Sequence, residues 1–524
     1  MEISLIDPSN GFLAIQGRLL SSYLKENGHK TKLVMLPVML RQGWQSLEEI
    51  PSYTSKVLDD LLGIVKSSDM IGLTVWTNFF VQCVEITRFL KKELDVPVLW
   101  GGIHPTVRPG ECLQYADIVC VGEGEDAMLE LANRIDCGTS YDDIKNLWCK
   151  KDGGIVRNDV RPLQQYLDKY PPQDWELVEH YGSDAKRIWK LTADNIVHWV
   201  SLRSVRDYDG KVLPTYYTEY SRGCPFACTY CCNSSLHRIY RGKGPIIRRK
   251  SIPYFIDELT RVRKAHPFFH NVAIIDDCFM LGNDETVERF AQAYRERVGM
   301  PFRCITHPGI VTERKIGALV SAGLYGLEIG VESGSLRVKR QIYRRPDTNE
   351  DVLRAARIIN KYRAHIVPRY DFILDNPWEN EHEFLETVKL ANELPRPYVR
   401  STFSLTFFPG TDLYEKAKQE GLLRDDIRDV YLKSYVSQKW IANPKRMRYS
   451  RLLFHLSKSV SKSTMKKFTG KRLLQVANRK GLEPLFGLAY LSLTKRQFQP
   501  IMKLVHLVRR AEDPRKGYKK SFDA

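Results

Sequence analysis

Short β-rich runs alternate with amphipathic stretches through the first 137 residues of the chain. The apolar runs are EISLIDP, KTKLVML, MIGLTVW, VPVLWGG and DIVCVGEGE, and helical segments near residues 13–27, 54–67, 81–93 and 109–115 lie between them. This alternation is typical of a doubly wound parallel sheet. The pattern therefore predicts a five-stranded α/β domain at residues 1–137.

Ligands of such sheets bind beyond the carboxyl ends of the strands, and here those ends are small, Gly-rich or polar. Glycine at these places lets backbone amides approach a ligand without a clash with Cβ. The candidate binding residues are Ser9, Asn10, Thr74, Trp76, Asn78, Gly101, Gly102, His104, Gly122, Glu123 and Gly124.

Three further regions follow. Residues 138–215 lose the alternation and gain prolines and aromatic residues, which indicates a linker. Residues 216–425 contain six more β-rich runs with helical segments between them, namely TYYTEYSRG, NVAIIDD, FRCITHP, GLEIGVES, IVPRYDFILD and YVRSTFSLTFF. Six such units predict a partial (β/α)6 barrel with its chemistry at the carboxyl ends of the strands. Residues 426–524 form a basic region with a mostly helical pattern.

Charge separates this last region from the rest of the chain. Of the formal net charge of +18, an excess of 17 comes from residues 441–524, which hold 21 lysines and arginines against four acids. The remaining residues are nearly neutral, so an electrostatic partner concerns the tail alone. The chain has neither an apolar run of about 18 residues nor a signal-peptide pattern, which predicts a cytoplasmic protein.

Four of the eleven cysteines fall in the segment SRGCPFACTYCCN, residues 221–233. So sparse a set does not form a disulfide scaffold, and a tight group of thiols favours metal or redox chemistry. Cys224, Cys228 and Cys231 have the spacing C-x3-C-x2-C, which holds zinc or an iron-sulfur cluster. A second zinc knuckle is missing from the sequence, and the adjacent Cys232 diverges in direction. Three ligands on a four-iron cluster leave one iron open.

This spacing, with Tyr230 just before the last cysteine, resembles the signature of the radical S-adenosylmethionine superfamily. The resemblance implies that Cys224, Cys228 and Cys231 bind a 4Fe-4S cluster whose open iron chelates S-adenosylmethionine. Reduction would then cleave S-adenosylmethionine to give a 5′-deoxyadenosyl radical. Removing hydrogen from an unactivated carbon needs such a radical source, shielded from water.

Further segments carry the same resemblance. IIDDCF stands where the family binds the methionyl amine, and GLEIGVESGS resembles the fourth-strand motif that approaches the ribose. The implied S-adenosylmethionine-binding residues are Tyr230, Asp276, Asp277, Glu332 and Ser333. Ordinary capping of strand ends is the alternative role for each acid.

Two segments near the end of the barrel also match. FILDNPWEN resembles the fifth-strand motif, although Asp375 replaces the usual Gly and Asn380 the usual Thr. FFPGTDLYEKAKQEGL resembles the closing segment of the family.

The N-terminal domain, with GGIHPT and VGEGE at its strand ends, resembles the Rossmann-like cobalamin-binding half of cobalamin-dependent radical enzymes. The segment RPLQQYLDKYPPQDWELVEHY is similar to the linker of those enzymes. The resemblance covers residues 1–425 and implies that the strand-end residues bind cobalamin.

One departure concerns the lower face of the cobalt. Many cobalamin domains use D-x-H-x-x-G to supply an imidazole, but PSNG follows Asp7 here, which excludes a histidine ligand from this loop. His104 is either an alternative ligand or a turn residue. Trp76 or Asn78 could replace a strong axial ligand, or Trp76 could pack in the core. Loss of the axial ligand makes cobalt easier to reduce.

The resemblance implies an enzyme, and methyl transfer to an unactivated carbon is the leading hypothesis. A radical cyclase or rearrangement enzyme of the same family is the alternative. A tRNA methylthiotransferase shares the cysteine spacing but needs three more cysteines, and Cys83, Cys112 and Cys120 are placed poorly for that role. A binding module without catalysis has no use for an open iron.

The expected partners are a small-molecule or lipid-like substrate and an electron donor such as a flavodoxin or ferredoxin; the neutral core argues against nucleic acid. In FQPIMKLVHLVRR the apolar residues fall on one helical face. This helix could lie on an anionic membrane, which would make the protein peripheral, or it could dock on the barrel. An anionic substrate is a third use of the charge.

Overall fold

The computed structural model describes residues 1–9, 14–36, 53–202, 204–206, 212–432, 448–458 and 460–469. The chain divides into two compact units. The first contains Met1–Asp277, Glu296–Met300 and Thr406–Ser437, and the second contains Cys278–Arg295, Pro301–Leu405 and Gln438–Ala524. The domain boundaries predicted from the sequence stay predictions.

A nine-stranded sheet forms most of the N-terminal part of the first unit. Its strands are β1 (Glu2–Asp7), β2 (Lys30–Met35), β3 (Met70–Thr74), β4 (Val98–Gly101), β5 (Ile118–Cys120), β6 (Leu147–Lys151), β7 (Gly154–Arg157), β8 (His180–Ser183) and β9 (Ile188–Lys190). The spatial order is β7-β6-β5-β4-β3-β1-β2-β8-β9. Strands β1 to β5 are mutually parallel, with Ile3 opposite Thr31 on one side and Met70 on the other. These are the five strands predicted from the sequence.

The outer strands come from the segment predicted as a linker. β6 pairs antiparallel with β5 and β7 with β6, while β8 extends the other edge parallel to β2 and β9 closes it. The sequence pattern misses them because they are short and lack alternation. Strand β7 is exposed at nearly every position, so no apolar face marks it.

In the described part of the first unit, nine α-helices precede the last strand. They are α1 (Ile15–Glu26), α2 (Ser55–Val65), α3 (Phe80–Glu93), α4 (Ile103–Val107), α5 (Pro109–Cys112), α6 (Glu125–Asp136), α7 (Ala193–Ser201), α8 (Asn233–Ile239) and α9 (Ile252–Ala265). Side-chain caps fix two of the starts, since Thr54 accepts from the amide of Val57 and Ser251 from that of Tyr254.

The later strands of the first unit are short. They are β10 (Val205–Arg206), β11 (Val212–Leu213), β12 (Thr215–Thr218), β13 (Ser221–Arg222), β14 (Arg248–Arg249) and β15 (Asn271–Ile274). β12 and β15 are parallel, as expected for the first two strands of the barrel pattern. β13 and β14 form an antiparallel pair that starts the cysteine segment.

The second unit is built on a parallel sheet with the order β16-β17-β18-β19. The remaining elements are α10 (Asp284–Arg297), β16 (Phe302–Thr306), α11 (Glu313–Ser321), β17 (Leu324–Glu332), α12 (Asn349–Lys361), β18 (Val367–Leu374), α13 (Glu381–Glu393), β19 (Val399–Ser404), α14 (Asp412–Gln419, first unit), α15 (Arg448–Leu456) and α16 (Lys462–Phe468). All six runs predicted as barrel strands form strands. The curvature and closure of a (β/α)6 barrel stay a prediction.

The start of the basic C-terminal region packs within the second unit. Phe454 of α15 lies 5.2 Å from Phe372 and 5.8 Å from Phe384, measured between ring centroids. The amphipathic helix predicted near residues 498–508 lies outside the described residues. Within the described ranges, no helix is both long and apolar enough to cross a bilayer.

Candidate functional site

The cysteine segment leaves β13 through a turn that only glycine can form. Gly223 has φ +89°, and a Cβ at this position would lie 2.2 Å from the carbonyl oxygen of Ile246. The left-handed conformation and the close backbone contact both exclude larger residues. The local sequence thus sets the direction in which the cysteines leave the strand.

The three motif cysteines lie on a compact turn that runs into α8. The amide of Cys231 donates to the carbonyl of Cys228 at 3.0 Å, and that of Ser234 to the carbonyl of Cys231 at 3.1 Å. His237 donates from Nε2 to the carbonyl of Cys224 at 2.8 Å, so α8 closes back onto the segment. Cys228 is buried, whereas Cys224 and Cys231 are half-buried.

The local polar groups favour a thiolate at Cys231. A hydrogen bond from Cys232 lowers the pKa of Cys231, and the Asn233 side chain donates to its sulfur at 3.6 Å. The thiolate is the form of cysteine that binds metals, so this donor set fits an iron-sulfur cluster. In the described part of the chain, no three His, Cys, Asp or Glu side chains are arranged to hold a single metal ion. The cluster ligands therefore stay a prediction.

The other cysteines are consistent with packing roles. Six of the seven outside the segment are buried, and Cys137 is exposed. Burial raises the pKa of Cys83 and, to about 12, that of Cys120, which disfavours the thiolate form. All eleven thiols are free of disulfide bonds.

The two acids after β15 have different surroundings. Asp276 is buried and accepts hydrogen bonds from the amides of Tyr220 and Ser221, at 2.7 and 2.9 Å, and from the Ser221 hydroxyl at 2.5 Å. Burial raises its pKa to about 7, although these donors favour the carboxylate. Asp277 is exposed and lies beside Asn233. Asp276 thus links β15 to β13, and Asp277 is the more accessible of the two candidates.

A partly buried group of charges connects the loop after β5 to the strand that precedes the cysteines. We call it the Arg222 network, and its members are Glu123, Glu125, Glu219, Arg222 and Arg248. Arg222 lies 2.7 Å from Glu125 and 2.7 Å from Glu219, and 3.6 Å from Glu123. Both terminal nitrogens of Arg248 donate to the carboxylate of Glu123 at 2.8 Å. The arginines therefore occupy the carboxylate of Glu123, which sequence analysis assigned to cobalamin.

The glycines of the strand-end loops have structural causes of their own. Gly122 has φ +86°, and a Cβ there would lie 2.0 Å from the hydroxyl of Tyr240. This hydroxyl accepts a hydrogen bond from the amide of Glu123 at 2.6 Å. At Gly102, φ is +108° and a Cβ would lie 2.9 Å from the carbonyl of Val75. Glycine at these two positions is therefore also explained by close packing within the protein, and not by ligand binding alone. Gly101 and Gly124 lie beside them at the same strand ends.

His104 is completely buried in α4. Its Nδ1 lies 3.1 Å from the hydroxyl of Thr77, and its ring packs 4.7 Å from Phe80 and 5.1 Å from Tyr431. Burial and the charge of Arg108 lower its pKa to about 3, so the ring is neutral. Among the described atoms Nε2 has no hydrogen-bond partner. The surroundings support the turn and packing role more than that of an axial ligand.

The remaining cobalamin candidates lie at the ends of β1 and β3. Ser9 is buried, and its amide donates to Asp7 at 2.8 Å. Thr74 and Trp76 are half-buried and Asn78 is buried. Asn10 lies outside the described residues. Their contacts with a cofactor stay predictions.

In the second unit, Glu332 and Ser333 stand at the carboxyl end of β17. Glu332 has φ +64° and lies 3.5 Å from Arg345. The hydroxyl of Ser333 donates to Glu379 at 3.3 Å. Burial raises the pKa of Glu379 to about 8, so this group is protonated near neutral pH. Ser333 is therefore engaged in the local structure of the strand end.

A second group of buried charges contains Glu332. We call it the Asp347 network; it contains His307, Glu332, Lys339, Arg345 and Asp347. Lys339, His307 and Arg345 lie 2.8, 3.1 and 2.9 Å from the Asp347 carboxylate, respectively. Burial opposes ionisation, but the hydrogen bond from His307 and the two cations hold the pKa of Asp347 below its usual range. None of the four residues beside Glu332 was found from the sequence, because their partners are set by the fold.

Two regions of the chain match known domain families. Residues 218–391 match the Radical SAM superfamily, and residues 17–132 match the B12 binding domain. The second match argues against the methylthiotransferase alternative, which expects three cysteines for a second cluster in the N-terminal domain.

Individual proteins are similar over most of the chain. An uncharacterised methyltransferase of Pyrococcus horikoshii is 26% identical over 70% of this chain and 73% of its own length. An anaerobic magnesium-protoporphyrin IX monomethyl ester cyclase of Rubrivivax gelatinosus is 24% identical over 66% of this chain and 58% of its own length. The solved structure of OxsB, a cobalamin-dependent S-adenosylmethionine radical enzyme with aqua-cobalamin bound, has the same fold: the TM-score is 0.63 at 15% identity, over 96% of this chain and 74% of that one.

Proposed function

We propose that this chain, in which residues 17–132 match the B12 binding domain and residues 218–391 the Radical SAM superfamily, is a cobalamin-dependent radical S-adenosylmethionine enzyme that methylates an unactivated carbon of a small-molecule substrate. The observation that carries this proposal is the Arg222 network. It ties Glu123 and Glu125, which follow β5 of the cobalamin-binding domain, to the strand pair β13 and β14 that leads into the cysteines, through ion pairs of 2.7 and 2.8 Å. Methyl transfer to a substrate radical requires the cobalamin-binding part and the cluster-binding part of the chain to act on the same substrate molecule.

The residues that would hold each group follow from the site. Cys224, Cys228 and Cys231 would bind a 4Fe-4S cluster, and Asp277, the more accessible of the two candidate acids, would receive the amine of S-adenosylmethionine. Once bound, the cluster with S-adenosylmethionine supplies a hydrogen-abstracting radical, and cobalamin supplies the methyl group. The side chain of Asn233 donates to the sulfur of Cys231 at 3.6 Å, a contact that favours the thiolate form that binds metals.

The similarity to a ring-forming cyclase favours a second candidate. A cyclase would use the radical without transferring a methyl group. The two candidates differ in what becomes of S-adenosylmethionine. Methylation consumes one molecule as methyl donor, giving S-adenosylhomocysteine, and a second as radical source, giving 5′-deoxyadenosine.

The test uses full-length protein, purified without oxygen and reconstituted with iron, sulfide and cobalamin. It is incubated with S-adenosylmethionine, dithionite and a small-molecule extract of the source cells, and both products are counted by mass spectrometry. Equal amounts of the two, with a product 14 mass units heavier, support methylation. Formation of 5′-deoxyadenosine without S-adenosylhomocysteine would contradict methylation and favour the cyclase.

The cluster ligands are tested in the same preparation. Alanine at Cys224, Cys228 and Cys231 together should remove the iron and the formation of 5′-deoxyadenosine. Cys232→Ala is the matched control, and its iron content should stay near wild type because this residue lies outside the C-x3-C-x2-C motif. Iron retained in the triple variant, or zinc found in the wild type, would show that the cluster assignment is wrong.

The partners follow from the same chemistry. The cluster needs a one-electron donor, and a flavodoxin or ferredoxin is the expected class. We propose further that the C-terminal residues beyond 469 attach the protein to an anionic membrane, because residues 441–524 carry the excess charge and the sequence predicts an apolar helical face at 498–508.

The membrane proposal is tested by ending the chain after residue 469, which keeps α15 and α16. Full-length protein should float with anionic vesicles at 0.1 M salt and be released at 1 M, where the Debye length falls from about 10 Å to about 3 Å. Equal behaviour of the full-length and shortened chains would contradict it.

A further inference from the structure

The end of β18 contains a residue in an unfavourable backbone conformation. Asp375 follows the last residue of the strand with φ +64°, which is costly for a residue with a Cβ. Its carboxylate is buried and accepts a hydrogen bond of 2.5 Å from the hydroxyl of Ser404. Ser404 is the last residue of the neighbouring strand β19. A buried charge held by one hydroxyl is not stable without a cation.

Helix α15 supplies this cation. Arg451 is buried and donates to the second carboxylate oxygen of Asp375, forming an ion pair across 76 residues of sequence. Its positive charge also acts to lower the pKa of Glu379, which lies four residues beyond Asp375, and its guanidinium lies 6.0 Å from the centre of the Phe384 ring. The cation of the C-terminal region thus neutralises an acid at the functional end of the sheet.

Two other arginines hold α15 where Arg451 can reach Asp375. Arg400 donates to the hydroxyl of Ser457 at 2.9 Å and to the carbonyl of Phe454. Arg396 donates to the carbonyls of Ser457 and Val460, both at 2.7 Å. These bonds satisfy carbonyls at the end of a helix, where no intrahelical donor is available. At the other end, Ser450 donates to Glu381 at 2.8 Å.

The Asp375 turn is connected to the residues implied in binding S-adenosylmethionine. The chain from Asp375 leads to Glu379, and the hydroxyl of Ser333 donates to Glu379 at 3.3 Å. Ser333 directly follows Glu332 at the end of β17. A shift of the turn would therefore be transmitted to both residues of the ribose motif.

We infer that Arg451 is a positioning residue for S-adenosylmethionine, acting through Asp375 and Glu379 on Glu332 and Ser333. The inference rests on the proposed function, because it takes S-adenosylmethionine as the ligand of this strand end. It makes α15 a part of the catalytic unit, although the helix belongs to the basic C-terminal region.

The test is a mutant cycle in the full-length reconstituted protein, with the Kd of S-adenosylmethionine measured by equilibrium dialysis. Arg451→Met leaves the buried carboxylate unpaired, and the Kd should rise about tenfold, or ~1.4 kcal/mol. Asp375→Gly combined with Arg451→Met should bind within about threefold of wild type, because glycine keeps a positive φ and no charge remains. Arg451→Lys should recover part of the loss.

The control is Arg400→Met, which removes one tether of α15 but leaves the contacts of Arg396 and Ser450, and the ion pair of Arg451 with Asp375, in place. It should lower the melting temperature as Arg451→Met does, but leave the Kd within about twofold. An unchanged Kd in Arg451→Met, an equal rise in Arg400→Met, or a double variant as weak as Arg451→Met would each overturn the inference. If the wild-type protein binds S-adenosylmethionine without cleaving it, the proposed function is wrong, but the mutant cycle still tests whether Arg451 positions S-adenosylmethionine. If the wild-type protein does not bind S-adenosylmethionine, both the proposed function and this inference are wrong.

Discussion

The Arg222 network, which is partly buried, and the Asp347 network, which is fully buried, join different parts of the chain. Glu123 and Arg248 are separated by 125 residues of sequence, whereas Lys339 and Asp347 are separated by eight. The first network contains three acids and two arginines, and the second contains two acids, a lysine, an arginine and a neutral histidine. The difference indicates that one network holds two functional halves together and the other stiffens a single strand end.

The largest effect is expected from Arg222→Met. This change leaves Glu125 and Glu219 without their cation, and removing one partner of a buried pair costs about 3–5 kcal/mol. We expect the free energy of unfolding in urea to fall by that amount and the corrinoid and iron contents to fall together. Arg222→Lys should restore part of each. Loss of iron with full corrinoid content would show that the network does not couple the halves.

A smaller effect is expected from Lys339→Met. Asp347 keeps Arg345 and His307 as partners, so the loss should be about 1.5–3 kcal/mol, the usual contribution of a hydrogen bond to a charged group. Corrinoid content should remain at the wild-type level, since this network lies wholly in the second unit. A fall in corrinoid content equal to that of Arg222→Met would remove the distinction between the two networks.

The stability of the protein should depend on pH in opposite directions through Asp347 and Asp276. The folded-state pKa of Asp347 is depressed, so the stability it gives is present above about pH 4 and is lost as the pH falls in acid. The folded-state pKa of Asp276 is raised to about 7, so its contribution is present below about pH 4 and is lost as the pH rises through 7.

Asp276→Asn should therefore flatten the stability profile between pH 4 and pH 7. The shift of about three pKa units sets an upper limit of about 4 kcal/mol on the change across this window. The measurement is urea unfolding at intervals of pH, with Asp347→Asn as the counterpart that should alter the acid limb alone. A profile of Asp276→Asn parallel to wild type would place the folded pKa near its ordinary value.

The smallest change is expected from His104→Gln. The neutral ring lies among Phe80, Tyr431 and Thr77, so it is not expected to coordinate cobalt. Electron spin resonance of the cobalt(II) protein should lack nitrogen superhyperfine splitting both in wild type and in the variant. Splitting that disappears in His104→Gln would establish His104 as the axial ligand.

The sequence predicted the strands whose side chains alternate or are wholly apolar, such as β1 and β18, because burial selects those patterns. It did not predict β7, whose residues face solvent. Glu123 was assigned to a cofactor because it stands at a strand end, but whether Arg248 reaches it depends on the folded arrangement of segments 125 residues apart. His237 and Arg451 were missed for the same reason, since no local pattern marks their distant partners.

The added strands at the rims of the nine-stranded sheet bear on how the N-terminal half can be produced alone. A fragment ending at residue 137 would lack β6 to β9, and it would expose the backbone edges of both β5 and β2. Unprotected edges of this kind recruit other chains into intermolecular sheets. A fragment extended through β9, which ends at residue 190, would retain the hairpins at both rims, so we expect it to stay monomeric where the shorter one aggregates.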